Sequence, residues 1–486
     1  MLDANPSPGQ RPGPENLSRQ ADRSLSHQLS ERFAERIRQR LLAPGARLPS
    51  VRECARRHRV SPSTVVAAYD QLLAQGLVEA QRQRGFFVRG SVPEESALRA
   101  GGPAERAVVT PLPVSATTLI RGMFQAPGGL PMPGLGTLPA EWLNAPMLNA
   151  ALRRAVTQLG AGGLQYGEPS GELRLRQALA TKLADLGISA TPEQIVTTVG
   201  ATHALDVVTR TLLKPGDSVL VDEPGWSVEY ARLAALGMRV LPVPRTEAGP
   251  DLEVMQRLIE AQAPADRPRL YVTVSVLHNP TGGSLSLQSA HRVLQLAQAH
   301  DLFIVEDDTY AHLAPTHLPR LAALDALERT VYVSGFSKIL TPAWRVGYLA
   351  APQRLIERLV DTKLLSTLTT PALHELALAH CLEQGQLRRH AERVGQQLDA
   401  ARARSVKLAL AHGGHFVTPP RGLFGWVDVG VDTERLAQSL LDEGWLTAPG
   451  ALFHATPRPT QLMRINFATT QEARFWRALD RCRAQL

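Results

Sequence analysis

Cysteine is scarce in this chain: Cys54, Cys381 and Cys482 are too few and too scattered for a disulfide framework or a zinc site. No apolar run approaches the ~20 residues that a membrane-spanning helix needs. The opening stretch, MLDANPSPGQRPGPENLS, is polar and proline-rich and has no apolar centre of a secretory signal. These absences predict a cytoplasmic protein with no membrane partner. Lysine is missing where the charge is concentrated: residues 17–90 hold fourteen arginines, no lysine and six acids. Their net charge of +8 equals that of the whole chain, so the remaining residues balance. That one N-terminal segment is therefore the candidate for a polyanion partner, and on charge alone a solvated basic face is the equal alternative. With 486 residues, 44% of them hydrophobic, the chain exceeds what one core can organise, and two or more domains are expected.

The basic segment has a helical order of its own. Leu25, Leu29, Phe33, Ile37 and Leu41 recur at helical spacing over 24–42. PGARLPS breaks that helix, and Ser50 is placed to cap a second one running through His58. A third begins with Ser61 as N-cap and Pro62 in the first helical position, buries Val65, Tyr69, Leu72 and Leu73, and ends at Gly76. GLVEA and GFFVRG then read as two short strands around the turn QRQR. Three helices and a two-stranded wing make a winged helix-turn-helix.

Residues 91–115 lack sustained periodicity and read as a linker. Beyond it, apolar β-branched runs alternate with helical segments: 195–199, 218–222, 239–243, 270–276, 302–307, 331–333 and 346–350. Seven such runs predict one large, seven-stranded, mostly parallel sheet covered by helices. After about residue 375 helices dominate, with GLFGWVDV and LMRINFA as strands of a smaller α+β part.

Ligands of such sheets bind at the carboxyl ends of the strands. There this chain places GATHALD after Val199, EPGW after Asp222, LHNPTGG after Val276, Asp307 with Tyr310 three residues on, and SGFSKILTPAWRVGY after Val333. Taken singly, most of these read more readily as an ordinary helix cap, turn, loop acid, core aromatic or surface lysine. Together they offer a helix N-terminus whose Gly200, Ala201 and Thr202 can meet a phosphate, an aromatic face in Trp226, a carboxylate, and a lysine among small residues. That set suits pyridoxal phosphate, which needs an amine for its aldehyde, a carboxylate for its ring nitrogen and cations for its phosphate.

Residues 20–90, on LPSVRECARRHRVSPSTVVAAYDQLLAQGLVEA, resemble the GntR-type DNA-binding domain. Residues 116–486, on the strand-end motifs above, resemble a fold-type I aminotransferase, with a large part over about 150–370 and a small subdomain over about 375–486. The whole chain is similar to the MocR branch of GntR regulators. For the head, the resemblance implies double-stranded operator DNA as partner. The helix at Ser61 would enter the major groove, with Ser61, Ser63 and Thr64 near phosphates or base edges, Arg52 on a phosphate, and Arg82 and Arg84 on the wing. For the larger part it implies Lys338 as the Schiff-base lysine and Asp307 on the pyridine nitrogen. Tyr310 and Asn279 would meet the ring oxygen and Trp226 would stack on the ring. Ala201, Thr202, Ser337 and Arg345 would surround the phosphate. Tyr166, in QYGEPSGELRLRQAL, would reach the cofactor of a partner subunit in a homodimer. Arg464, in MRINFA, would hold a carboxylate.

This chain departs from the family pattern at Pro62 and at the QRQRG wing tip, so base preference does not carry over. It also has Gly335 where many members have Ser, and Ala201 where they have Ser or Ala, two positions whose hydroxyls commonly help hold the phosphate. Losing such hydrogen bonds to a charged group costs roughly 1.5–3 kcal/mol each, so weaker, reversible cofactor binding is expected. The resemblance implies a regulator that senses pyridoxal phosphate or an amino compound reacting with it. The alternative is a working aminotransferase that retains a DNA-binding head, and the intact Lys338 and Asp307 make that chemically feasible.

Overall fold

The structure is a computed structural model that describes residues 23–38, 45–81, 84–89 and 132–486, with Leu17 and Leu42 besides. The segment 91–115, Leu41 and Arg82 lie outside the described residues. Among the described residues, no helix is long and apolar enough to cross a membrane.

The head consists of α1 (Leu25–Arg38), α2 (Val51–His58) and α3 (Pro62–Ala74) followed by the hairpin of β1 (Val78–Gln81) and β2 (Gly85–Val88). Local chemistry sets the boundaries. Ser50 accepts from the Glu53 amide at 3.3 Å and Ser61 from the Thr64 amide at 3.1 Å, so each cap satisfies an orphan amide of the helix it starts. Leu29, Phe33, Val65, Tyr69 and Leu72 form the core. The Tyr69 hydroxyl donates to the Pro49 carbonyl at 2.8 Å, which leaves no unpaired polar atom on that buried ring.

The larger part is built on β3 (Ile195–Thr198), β4 (Ser218–Glu223), β5 (Arg239–Thr246), β6 (Gly249–Pro250), β7 (Leu270–Thr273), β8 (Phe303–Asp307), β9 (Thr330–Gly335) and β10 (Gly347–Ala350). Their order is β3-β10-β9-β8-β7-β4-β5-β6. Each of the seven expected runs contributes a strand. The eighth, β6, is two residues paired antiparallel to β5, too short to leave a periodic trace. β10 runs antiparallel to both β3 and β9, while the five strands from β9 to β5 are mutually parallel. Val219, Val221, Val305 and Val331 face one helical layer, and Leu220, Tyr271 and Ile304 face the other. Burial on both faces explains why these strands read as unbroken apolar runs.

Helices α4 (Ala145–Leu159), α5 (Leu173–Ala184), α6 (Ala201–Leu212), α7 (Ser227–Ala235), α8 (Leu252–Glu260), α9 (Leu287–Ala299), α10 (Leu321–Leu324) and α11 (Gln353–Thr367) connect or cover the strands. After α12 (Ala372–Glu383), the 26-residue α13 (Gln386–Ala411) leads into the small subdomain. There β11 (His415–Phe416), β12 (Phe424–Asp428), β13 (Ala448–Pro449) and β14 (Leu462–Asn466) form an antiparallel sheet in the order β11-β12-β14-β13, covered by α14 (Thr433–Asp442) and α15 (Ala473–Arg483). The residues just after 131 also join this sheet: the Gly134 amide donates to the Leu446 carbonyl at 2.9 Å and the Asn466 amide to the Pro133 carbonyl at 3.2 Å. The small subdomain thus draws on a segment well before the 375–486 expected of it.

Candidate functional site

The parallel strands turn their carboxyl ends to one side, and the chain reverses its direction of travel across the sheet between β4 and β7. That is the topological switch point at which such sheets hold ligands. Asp222 near the end of β4 is buried and saturated: Arg245 Nη1 donates to it at 2.6 Å, the Tyr271 hydroxyl at 2.6 Å and the Thr273 hydroxyl at 2.7 Å. It pins the ends of β4, β5 and β7 together. Trp226, Glu229, His278 and Asp307 line a small cavity of about 30 Å³ beside this network.

Asp307 ends β8 and is buried. Its Oδ1 accepts from the amide of Thr309 at 3.0 Å and from the Thr309 hydroxyl. Among the described residues these bonds all fall on Oδ1, so Oδ2 is open to another donor. Burial pushes the carboxyl up to about 6, against the pull of the two Thr309 donors. A cation brought against Oδ2 would restore its charge.

Lys338 lies between β9 and β10. Burial pulls its ammonium down to about 8, and the positive charges of Arg464 and Arg345 act in the same direction. The amine is thereby closer to its nucleophilic form at neutral pH than a surface lysine. A Cβ on Gly136 would stand 3.8 Å from Lys338 Nζ, 3.7 Å from the Tyr310 hydroxyl and 3.2 Å from the Phe424 ring. This glycine keeps open the space into which amine and phenol both point. Tyr310 is buried edge-on to Phe424, with ring centroids 5.4 Å apart.

Arg464 is buried on β14 beneath Phe424 and Phe453, its guanidinium carbon 4.4 and 5.0 Å from their ring centres. Nη1 donates to Asn279 Oδ1 at 2.7 Å and Nη2 to the Gly134 carbonyl at 2.6 Å, while Nε is buried without a partner. Asn279 therefore spends its oxygen on Arg464 and keeps its amide nitrogen for a ligand.

Arg345 adopts left-handed backbone angles, φ 50° and ψ 41°. Its Nη2 donates to the Val199 carbonyl at 3.1 Å and its Nη1 approaches the Ser337 hydroxyl at 3.4 Å. The guanidinium covers Gly200, where an added Cβ would collide with Nη2 at 2.5 Å and where φ is +81°. Ala201 and Thr202 begin α6 immediately beyond, so an exposed cation and a helix N-terminus meet in one cradle. Tyr166 is 83% exposed. Trp142, Trp344 and Trp426 are buried in the core. A separate and wider cavity, about 1190 Å³, is bounded by Lys182, His312 and Arg402 and contains none of the residues expected at the site.

On the head, Ser61, Ser63 and Arg52 are exposed, and the Ser61 hydroxyl lies 2.8 Å from those of both Ser63 and Thr64. Arg84 is exposed and extends over the Phe87 ring at 5.7 Å. Other arginines face inward. Arg36 and Arg57 pair with Asp442 of the small subdomain, the latter at 2.9 Å, so part of the basic excess belongs to an internal contact. Counting charge along the sequence does not separate these two groups.

Residues 136–481 match the aminotransferase class I and II family. The chain belongs to that family. Residues 25–88 match the bacterial regulatory proteins of the gntR family, so the architecture is of the MocR type: a GntR head joined to a class I/II aminotransferase domain. Among its relatives, YisV of Bacillus subtilis, named an HTH-type transcriptional regulator, is 28% identical over 93% of this chain and 94% of that protein. YjiR of Escherichia coli, named likewise, is 29% identical over 89% and 92%. The crystal structure of LysN, the α-aminoadipate aminotransferase of Thermus thermophilus complexed with N-(5'-phosphopyridoxyl)-L-leucine, superposes with a TM-score of 0.68 at 26% identity, over 76% of this chain and 96% of that one.

Within this class I/II aminotransferase domain, the donor set fits pyridoxal phosphate. An amine of lowered basicity, a buried carboxylate with one open oxygen, an aromatic side chain beside it and a cationic helix terminus converge on one cleft. Family and donor set together indicate pyridoxal phosphate as the cofactor. Asp222, Gly136, Phe424 and Phe453 also shape the site and carry no motif in the sequence. Gly136, in MPGLGTLP, had the one available signal, a glycine between two other turn residues ahead of a helix.

Proposed function

We propose that this protein is a DNA-binding transcriptional regulator whose aminotransferase-like domain senses pyridoxal phosphate, or an amino compound that reacts with it. The observation that carries the reading is the coexistence in one chain of an exposed, Ser61-capped recognition helix and a converged Lys338–Asp307 site. Pyridoxal phosphate supplies an aldehyde and an electron-withdrawing ring. Lys338 would offer the amine for the aldehyde, and Asp307, through its open Oδ2, would keep the ring nitrogen protonated. Asn279 and Tyr310 would orient the ring through hydrogen bonds, with Trp226 as its apolar neighbour. Arg345, Ser337 and the amides of Ala201 and Thr202 would hold the phosphate. Arg464, with its unpartnered Nε, receives the carboxylate of an amino compound. Tyr166, being exposed, is available to a second subunit of a homodimer.

At the DNA, Ser61, Ser63, Thr64 and Arg52 contact phosphates or base edges, and Arg84 reaches out from the wing. Arg82 belongs to the same proposal. Binding that neutralises several phosphates falls steeply with salt.

A gel-shift titration on the protein's own upstream intergenic region tests this, with and without pyridoxal phosphate. Binding that the cofactor alters, and that Lys338→Ala makes insensitive to it, is the expected result. Specific binding that responds identically in both proteins would overturn the sensing role of Lys338. The second reading, a working aminotransferase, is favoured by the complete catalytic set of Lys338, Asp307, Tyr310, Asn279 and Arg464. Sustained turnover of an amino acid with a 2-oxo acid would establish it.

A further inference from the structure

The C-terminal end of α14 is covered by the head. Helix ends leave carbonyls unsatisfied and carry partial negative charge. Here guanidinium groups of the head supply both missing donors and opposite charge. Arg32 donates to the Asp442 carbonyl, and Arg36 to the Leu441 carbonyl at 3.1 Å. The Asp442 carboxylate takes Arg36 on one oxygen and Arg57 on the other, the latter at 2.9 Å. Nearby, Arg56 donates to the Gln485 carbonyl at 3.1 Å. Side-chain exposure is 11% for Arg36 and 10% for both Arg57 and Asp442, so this contact is shielded from water. Although burial acts to raise it, the Asp442 carboxyl is held below the usual range by Arg36 and Arg57. Burial keeps the adjacent His58 neutral, with its pKa down at about 4. Arg57 also holds Glu53 at 3.0 Å, which fixes its guanidinium before it reaches across.

The other end of α14 is tied to the ligand site. Thr433, its first residue, accepts from the Gly450 amide at 3.3 Å. Gly450 opens the turn that carries Phe453, whose ring lies 5.0 Å from the Arg464 guanidinium. The Phe453 carbonyl accepts from the Gly225 amide at 2.9 Å, beside Trp226. A ten-residue helix is a stiff element about 15 Å long. It therefore links the Arg464–Phe453 contact to the Asp442 end that seats the head, through packed and hydrogen-bonded groups throughout.

We propose that the C-terminal end of α14 is the docking surface for the DNA-binding head, and that Asp442 is the residue through which occupancy at Arg464 sets the head's position. The arginines divide accordingly. Arg32, Arg36, Arg56 and Arg57 seat the head, and the exposed Arg52 and Arg84 remain for DNA. This rests on the regulator reading for its consequence at DNA, but not for the contact itself.

The test uses the full-length protein with pyridoxal phosphate bound. Hydrogen exchange is followed over 25–38, 51–58 and 433–442, alongside gel shifts on the upstream fragment. Asp442→Ala is expected to lower protection at the interface faces of α1 and α2 at least tenfold. It should also abolish the ratio between operator affinities with and without pyridoxal phosphate, while the absorbance of the bound cofactor is retained. Arg57→Ala should reproduce both losses from the other side, with the double variant no worse than either single one. Arg52→Ala should weaken DNA binding without changing exchange. Unchanged protection in both Asp442→Ala and Arg57→Ala would overturn the docking surface. Lost protection with an intact cofactor response would overturn the coupling. A wild-type protein whose DNA affinity ignores pyridoxal phosphate would instead count against the regulator reading, because the exchange arm reads the clamp alone.

Discussion

Arg345 offers a test in which stability and ligand affinity should move apart. Its left-handed backbone, φ 50° and ψ 41°, costs a non-glycine residue roughly 1–2 kcal/mol. Arg345→Gly removes that strain and adds about 0.5–1 kcal/mol of chain entropy to be lost on folding. The side chain is exposed, and its bonds to the Val199 carbonyl and Ser337 hydroxyl at 3.1 and 3.4 Å are within reach of water, so their loss weighs little. The apoprotein should thus be unchanged or more stable, by up to about 1.5 kcal/mol. Cofactor affinity should move the other way. A charge-assisted bond to phosphate is worth about 1.5–3 kcal/mol, and its loss should weaken pyridoxal phosphate roughly ten- to a hundredfold. Urea unfolding of the apoprotein at constant m-value, together with absorbance titration of the cofactor, measures the two quantities. Pyridoxal lacking the phosphate is the control, and its affinity should change by less than about threefold, since less than one hydrogen bond's worth of energy is at stake. An apoprotein destabilised by more than about 1 kcal/mol would refute the strain argument. An unchanged affinity for pyridoxal phosphate would refute the cradle.

Gly335→Ser should be tolerated, because a Cβ there meets only ordinary contacts at 3.5 Å from the Ala201 amide, Gly347 and Val346. Its hydroxyl faces the start of α6 and should tighten pyridoxal phosphate by roughly tenfold or more in the same titration. Capture of the aldehyde by the apoprotein, followed by stopped-flow absorbance, should accelerate as pH rises through about 8 and level off above it. Burial, with Arg464 and Arg345, places the Lys338 ammonium at about 8, and only the free amine reacts. An inflexion at the ordinary lysine value of about 10.4 would show that the pocket does not perturb this amine.

The parts of the fold that the sequence announced are those in which one physical cause acts over several residues. Strands buried on both faces must be apolar throughout, so β4, β7, β8 and β9 were visible as continuous runs. Capping needs a particular side chain at a particular place, so Ser50 and Ser61 marked their helices. The two-residue strands β6, β11 and β13 leave no period to detect. Asp222 looked like one more strand residue, because its role depends on Arg245, Tyr271 and Thr273 arriving from other strands. The return of residues 133–134 to β14 and the loop before β13 is likewise set by tertiary packing alone. The charge of the arginine-rich head is plain in the sequence, but which arginines face Asp442 and which face solvent is decided by helix rotation in the assembled protein.

The same site geometry bears on why a regulator would keep an aminotransferase pocket while thinning its phosphate contacts. A ligand reports its own concentration only when its Kd lies near that concentration, since occupancy far above Kd no longer varies. A cofactor kept for turnover is better held far below that point. In this chain the amide of Ala201 remains at the start of α6, yet neither Ala201 nor Gly335 brings a hydroxyl, and the cation opposite them is exposed. Each missing bond to a charged group shifts Kd upward by roughly ten- to a hundredfold. Lys338, Asp307 and Asn279, by contrast, are all present, so under the proposed roles recognition of the aldehyde and ring would be kept. On those roles, selectivity and occupancy would be set by different residues. Under the proposed reading, that separation lets the pocket choose pyridoxal phosphate specifically and still release it.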